Sequence, residues 1–75
     1  MTIQEILETA NHAANVQMWK NPHKTYWDCL AYAIAGMFYD SMTPGYYRIG
    51  SHIQYLRTLE NPMQELCKYL SRLIK

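Results

Sequence analysis

Three prolines, Pro22, Pro44 and Pro62, cut a chain of 75 residues into four pieces. Proline has no backbone N–H, fixes its own φ, and drives the preceding residue away from helical geometry. Asn21-Pro22-His23-Lys24 therefore reads as a break. Thr43-Pro44 and Asn61-Pro62 each pair a capping residue with a proline suited to the first helical position, and read as helix starts. The side chains between these points favour helix over strand. One Val and six Ile stand against seven Leu, five Met and six Ala, and no stretch alternates apolar and polar for long enough to form a strand. The fold class expected is all-α: a single domain over 1–75, built as a compact bundle of three to four short helices.

The spacing predicts the first helix over about 3–19, with Thr2 and Glu5 as a capping box and Ile3, Ile6, Leu7, Ala10, Ala13, Ala14 and Gln17/Met18 as its inner face. A second helix, about 26–40, opens on Thr25 with Asp28 in its first turn. It is apolar almost all round and reads as the central helix. Trp27, Leu30, Ile34, Met37 and Phe38 form its large apolar face. Cys29, Ala33 and Gly36 form a narrow stripe where another backbone could approach, and Asp28, Tyr32, Ala35 and Tyr39 a third face. A third helix over roughly 45–59 turns Tyr46, Ile49, Ile53 and Leu56 inward, with Gly50-Ser51 as a plausible kink. A fourth over about 62–74 buries Met63, Leu66, Cys67, Leu70, Leu73 and Ile74, with Asn61 and Gln64 as a weak capping box. The alternative is one bent helix over 45–74.

Charge excludes several functions. Seven Lys+Arg and six Asp+Glu leave +1, and charged residues make up only 17% of the chain, below the roughly 25% of ordinary globular proteins. No basic excess exists for binding nucleic acid by bulk charge, while 49% apolar residues is too rich for a disordered chain. No charge-free run is longer than Cys29 to Tyr39, which is well short of the roughly 20 residues that cross a bilayer. No basic segment followed by an apolar core opens the sequence, so no membrane association is expected and the localisation expected is cytoplasmic. Cys29 and Cys67 are too few for a disulfide framework and read as buried thiols, with a single staple between them as the alternative.

No motif carries chemistry. His12, His23 and His52 have no metal-ligand spacing around them. Cys29 lies in an apolar helix beside Asp28, surroundings that do not activate a thiol as a nucleophile. Ser41 and Ser51 sit in no nucleophile elbow, Glu5 and Glu8 are explained by the helix dipole, and Arg48-Ile49-Gly50-Ser51 lacks the glycines and lysine of a phosphate loop. The expectation is therefore no catalytic residue, no metal, no cofactor and no enzyme.

What is left is an aromatic and polar segment from Tyr39 to Tyr55. Tyr39, Tyr46, Tyr47, Arg48, Ser51, His52, Tyr55 and Arg57 are the candidate partner-binding residues. Arg48, His52 and Tyr55 share one face of the third helix, and Tyr47, Ser51, Gln54 and Thr58 the next. Tyr and Arg are enriched at interface centres, where they offer large area with few rotors to freeze; tyrosines at a core edge with wet hydroxyls are the plainer explanation.

Area argues for a partner as well. A chain this short buries about 60–65% of its unfolded surface, yet 22 residues are Leu, Ile, Val, Met, Phe or Trp and seven more are Tyr. Met1, Met18, Met42 and Met63, near predicted helix ends, would adapt to a second surface. The expected function is a small non-enzymatic protein-binding module, an inhibitor or regulator of the kind bacteriophages and mobile elements encode, which occludes a surface of a larger protein partner. A homo-oligomer, most simply a dimer, would use the same surplus. The alternative is a dimeric helix-turn-helix-like regulator that binds nucleic acid through the third helix. Residues 1–40 carry two basic and four acidic side chains (−2), and 41–75 five and two (+3), a modest cluster beside the roughly six to ten phosphate contacts of many DNA binders.

Overall fold

The computed structural model describes residues 2–39 and 46–74, apart from the side chains of Tyr39, Tyr46 and Tyr47. They form an all-α bundle of four helices: α1 (Ile3–Lys20), α2 (Tyr26–Tyr39), α3 (Tyr46–Leu56) and α4 (Pro62–Leu73). The turn expected over 41–45, with Thr43 as a cap, lies outside the described residues. α3 and α4 are separate helices rather than one bent one.

Each helix packs on two neighbours, α1 and α3 both on α2 and both, more lightly, on α4. The core between them is entirely apolar among the described residues. Ile6, Leu30, Ile34, Ile53, Leu66 and Leu70 are its fully buried large side chains, drawn from all four helices. Ala10 and Ala14 on α1 and Ala31 on α2 are also closed off from solvent. These small side chains let the helices approach closely.

α1 starts as its sequence predicts. Thr2 is extended at φ −88°, ψ 163°, which aims its hydroxyl at the helix. Its Oγ1 accepts from the Glu5 N–H at 3.1 Å, while its own N–H donates to Glu5 Oε1 at 2.9 Å. The Glu5 carboxyl is held below its ordinary value of 4.5, first by the Thr2 backbone N–H and then by the Thr2 hydroxyl. A carboxylate whose folded pKa is depressed adds stability that is present above the unfolded value and lost as pH falls through the folded one. Wild type should therefore melt above Glu5→Ala at neutral pH, and the gap should close on acidification below 4.5. Parallel melts monitored by circular dichroism check this, and a pH-independent gap would contradict it.

α2 opens in the same way, with the Asp28 N–H donating to Thr25 Oγ1 at 3.2 Å. α4 does not. Asn61 makes no side-chain cap bond, so the capping box expected with Gln64 is absent. The reason is the backbone: ψ is 76° at Asn61 rather than the 163° of Thr2, which turns the side chain off the first N–H groups. Pro62 at the first position and the Glu65 N–H to Asn61 carbonyl bond at 3.0 Å start the helix instead.

Further expectations are corrected. Met63 is exposed rather than buried: it shares the side of Leu66 and Leu70 but stands in the first turn of α4, at the end of the stripe, where it lines an open groove with Leu7 and Tyr26. α3 ends at Leu56, not near 59. There the chain tightens into three successive i to i+3 bonds, Arg57 to Gln54, Thr58 to Tyr55 and Leu59 to Leu56. Among the described residues Gly36 has nothing within 4 Å of where a Cβ would stand, so the close approach expected along the Cys29–Ala33–Gly36 stripe is not made at Gly36.

Gly50 is that close approach. α3 runs through it without a break, and a Cβ there would meet Ala35 Cβ at 3.6 Å and the Ala31 carbonyl oxygen at 3.9 Å. This is also why Ala35, expected among the hydroxyl-bearing residues, is buried. Because 3.6 Å is ordinary contact, Gly50→Ala should stabilise the fold by about 0.5–1 kcal/mol through the helix interior. Gly50→Leu should cost about 1–3 kcal/mol by forcing α2 and α3 apart. Urea midpoints of the two variants should move in opposite directions; a shared direction would place α3 differently.

The end of α3 is tied to α2 by one further bond. An α-helix leaves its last four carbonyls without intrahelical donors. The i to i+3 turns take those of Gln54, Tyr55 and Leu56, and the indole Nε1 of Trp27 donates to the fourth, Ile53, at 2.6 Å.

Candidate functional site

The predicted site residues separate by side. Arg48 and Ser51 are exposed on α3, and Tyr55 is 56% exposed. His52, one helical step around, is half-buried and lies against Tyr69 of α4, ring centroids 4.3 Å apart, with Tyr55 more distant at 6.0 Å. Its position ties α3 to α4, and burial in the same place raises the Tyr69 hydroxyl pKa above its ordinary value. Arg57 reaches the opposite way, its guanidinium 3.7 Å from the Asp28 carboxylate of α2, with half of its side chain still exposed. The side chains of Tyr39, Tyr46 and Tyr47 lie outside the described residues.

The structure adds a feature that the sequence reading did not assemble. α1 and α3 pack on α2 but not on one another, so the outer face of α2 remains open between them. Asp28, Cys29 and Tyr32 form the floor of a groove of ≈ 600 Å3, with Gln17 of α1 and Gln54 of α3 along its walls and Lys24 at one end. Tyr32 is 73% exposed, and the Lys24 ammonium stands 5.9 Å from its ring centroid, within cation–π range. Asp28, held by Arg57, connects the groove to the exposed side of α3.

A second, smaller groove of ≈ 300 Å3 lies on the other flank of α2, lined by Leu7, Glu8, Asn11, Tyr26, Leu30 and Met63. It is more apolar, and the Tyr26 hydroxyl within it already donates to Asn11 Oδ1.

Compared with protein-family models, curated proteins and solved structures, the chain has no match. Function therefore has to be read from the side chains themselves. Among the described residues no three His, Cys, Asp or Glu side chains are grouped to hold a metal ion, and no helix is long and apolar enough to cross a membrane. Neither cysteine is in a disulfide: Cys29 is buried at the floor of the larger groove and Cys67 is half-buried on α4.

The exposed large apolar side chains among the described residues are Val16, Trp19, Tyr32, Tyr55 and Met63. Trp19 is the extreme case at 86% exposed, and sequence reasoning passed over it. The signal was present in its spacing: it falls between the inner-face positions of α1, and Trp is a costly residue to leave in water. The groove had no comparable signal. Gln17, Lys24 and Gln54 belong to different elements, and only the Asp28–Tyr32 spacing of one helical turn was visible locally.

Proposed function

We propose that this chain is a non-catalytic binding module that acts by covering a surface of a larger protein. The observation that carries this reading is the exposure of three aromatic side chains, Trp19, Tyr32 and Tyr55, on a fold whose core is closed by other residues. Aromatic side chains left in water beside arginine are the residues that contribute most when an interface forms. Arg48, Ser51 and Tyr55 on α3, with Arg57 between α3 and α2, make the contact surface, and Tyr32 extends it across the groove. An inhibitor or regulator working in the cytoplasm is the form this takes, since occlusion needs contact area and no reacting group. A second copy of the chain is a further occupant of the same surface.

Affinity capture from the native host, with wild type and the double variant Tyr32→Ser/Tyr55→Ser side by side, tests the reading. Both side chains are exposed, so the variant should keep its helicity and melting temperature. A protein retained by wild type and lost by the variant is the expected result. No retained protein, or equal retention by both, would overturn it. If nucleic acid is retained instead and its affinity falls steeply with salt, the α3 surface contacts nucleic acid rather than protein.

A further inference from the structure

We infer that two copies of this chain pair through the outer face of α1, antiparallel about a two-fold axis, with Trp19 of each seated at the smaller groove of the other. The pairing uses none of the side chains assigned above to the contact surface for the larger protein.

The outer face of α1 is complementary to itself. Glu8, His12, Asn15 and Trp19 recur at the spacing that places side chains on one face of a helix, and all four are exposed. A two-fold axis that crosses α1 between Ala13 and Ala14 sets Trp19 of one copy opposite Glu8 of the other, and His12 opposite Asn15. Each Trp19 thereby meets the wall that α1 gives to the groove of ≈ 300 Å3, formed by Leu7, Glu8 and Asn11, with Met63 also on its lining. The most exposed large apolar side chain among the described residues, Trp19, thus covers a hollow edged by the exposed thioether of Met63, and sulfur packs well on an aromatic ring. Symmetry makes the contact twice.

Charge selects the antiparallel direction. Glu5 and Glu8 lie in the first half of α1 and Lys20 ends it. Glu8 and Lys20 are about 18 Å apart along one helix, too far to attract each other at physiological salt, and neither is in an ion pair among the described residues. In the antiparallel pair Lys20 of one copy falls beside Glu8 of the other, once at each end. A parallel pair would set like charges together.

The area suffices for a pair of modest affinity. Two tryptophans bury about 150–250 Å2 each. With equal area on the walls they cover, they come close to the roughly 1,000 Å2 of a specific interface. His12, Asn15 and the exposed Val16 supply the remainder between them.

Sedimentation equilibrium of the full chain from about 1 μM to about 1 mM tests this, with circular dichroism melts to show that each variant is folded. The mass should rise toward twice that of one chain. Trp19→Ala should weaken association about 100-fold or more, since one change removes both anchors. Glu8→Lys and Lys20→Glu should each weaken it about tenfold. The double variant Glu8→Lys/Lys20→Glu should bring it back, because opposite charges meet again across the axis. A chain that keeps the mass of a monomer over the whole range, a dimer unaffected by Trp19→Ala, or a double variant no better than the single ones would overturn the inference. A monomer that loses a captured protein on Trp19→Ala would overturn it too, and give the α1 face to a different partner.

Discussion

Trp27→Ala should leave the chain without a cooperative fold at room temperature. The side chain is half-buried against the core formed by Ile53 and its neighbours, and its indole N–H is the donor for the Ile53 carbonyl at the end of α3. Removing a packed tryptophan costs about 3–5 kcal/mol, which matches the whole of the roughly 3–5 kcal/mol that a domain of this size commands. Trp27→Phe separates the two contributions. It keeps most of the packing but leaves the Ile53 carbonyl without a donor, at a cost of about 1–3 kcal/mol. Urea unfolding followed by circular dichroism should show a shifted but sigmoidal transition for Trp27→Phe and no folded baseline for Trp27→Ala. If both variants unfold at the wild-type midpoint, the α2–α3 junction is not held in this way.

Leu66→Ala is the second large effect. Leu66 is fully buried and belongs to the same core cluster as Ile6, Leu30 and Ile53. The expected cost is about 2–5 kcal/mol, large enough to depopulate the native state. Although α4 packs only lightly on α1 and α3, its two leucines, Leu66 and Leu70, close the core, so their loss should be felt along the whole chain. Thermal melts that lose helicity from all four helices together support this. A melt that loses only the helicity of α4 and leaves the rest intact would show that three helices fold without it.

Much of the fold was legible because its determinants are local. Pro22 and Pro62 interrupt the chain where the structure does, and Thr2 and Thr25 cap the helices that follow them. Ile49, Ile53 and Leu56 face inward because their spacing leaves them no other side of α3. Lys68 and Glu65 form their expected pair at 3.5 Å, worth only tenths of a kcal/mol. Errors arose where the outcome depended on a neighbouring helix. Gly50 looked like a kink in isolation, and only the arrival of Ala31 and Ala35 makes it a contact. Conversely, Gly36 reads as a contact in the sequence, and no described residue approaches it.

The candidate site divides along the same line. That Tyr55, Arg48 and Ser51 would share the outside of α3 follows from helical spacing. That His52 would turn to Tyr69, and Arg57 to Asp28, depends on where α4 and α2 lie. The groove is the extreme case, since its walls come from α1 and α3 and its floor from α2. No single segment encodes it.

The central claim is that this chain works by contact through the side formed by Lys24, Tyr32, Gln54 and Tyr55. Hydrogen–deuterium exchange of the full chain, free and bound to the partner it captures, tests this most directly. The account predicts slowed exchange in peptides covering residues 23–32 and 48–58, with the peptides around Leu7 and Met63 unchanged. Protection around Leu7 and Met63, with 23–32 and 48–58 exchanging as in the free chain, would contradict it.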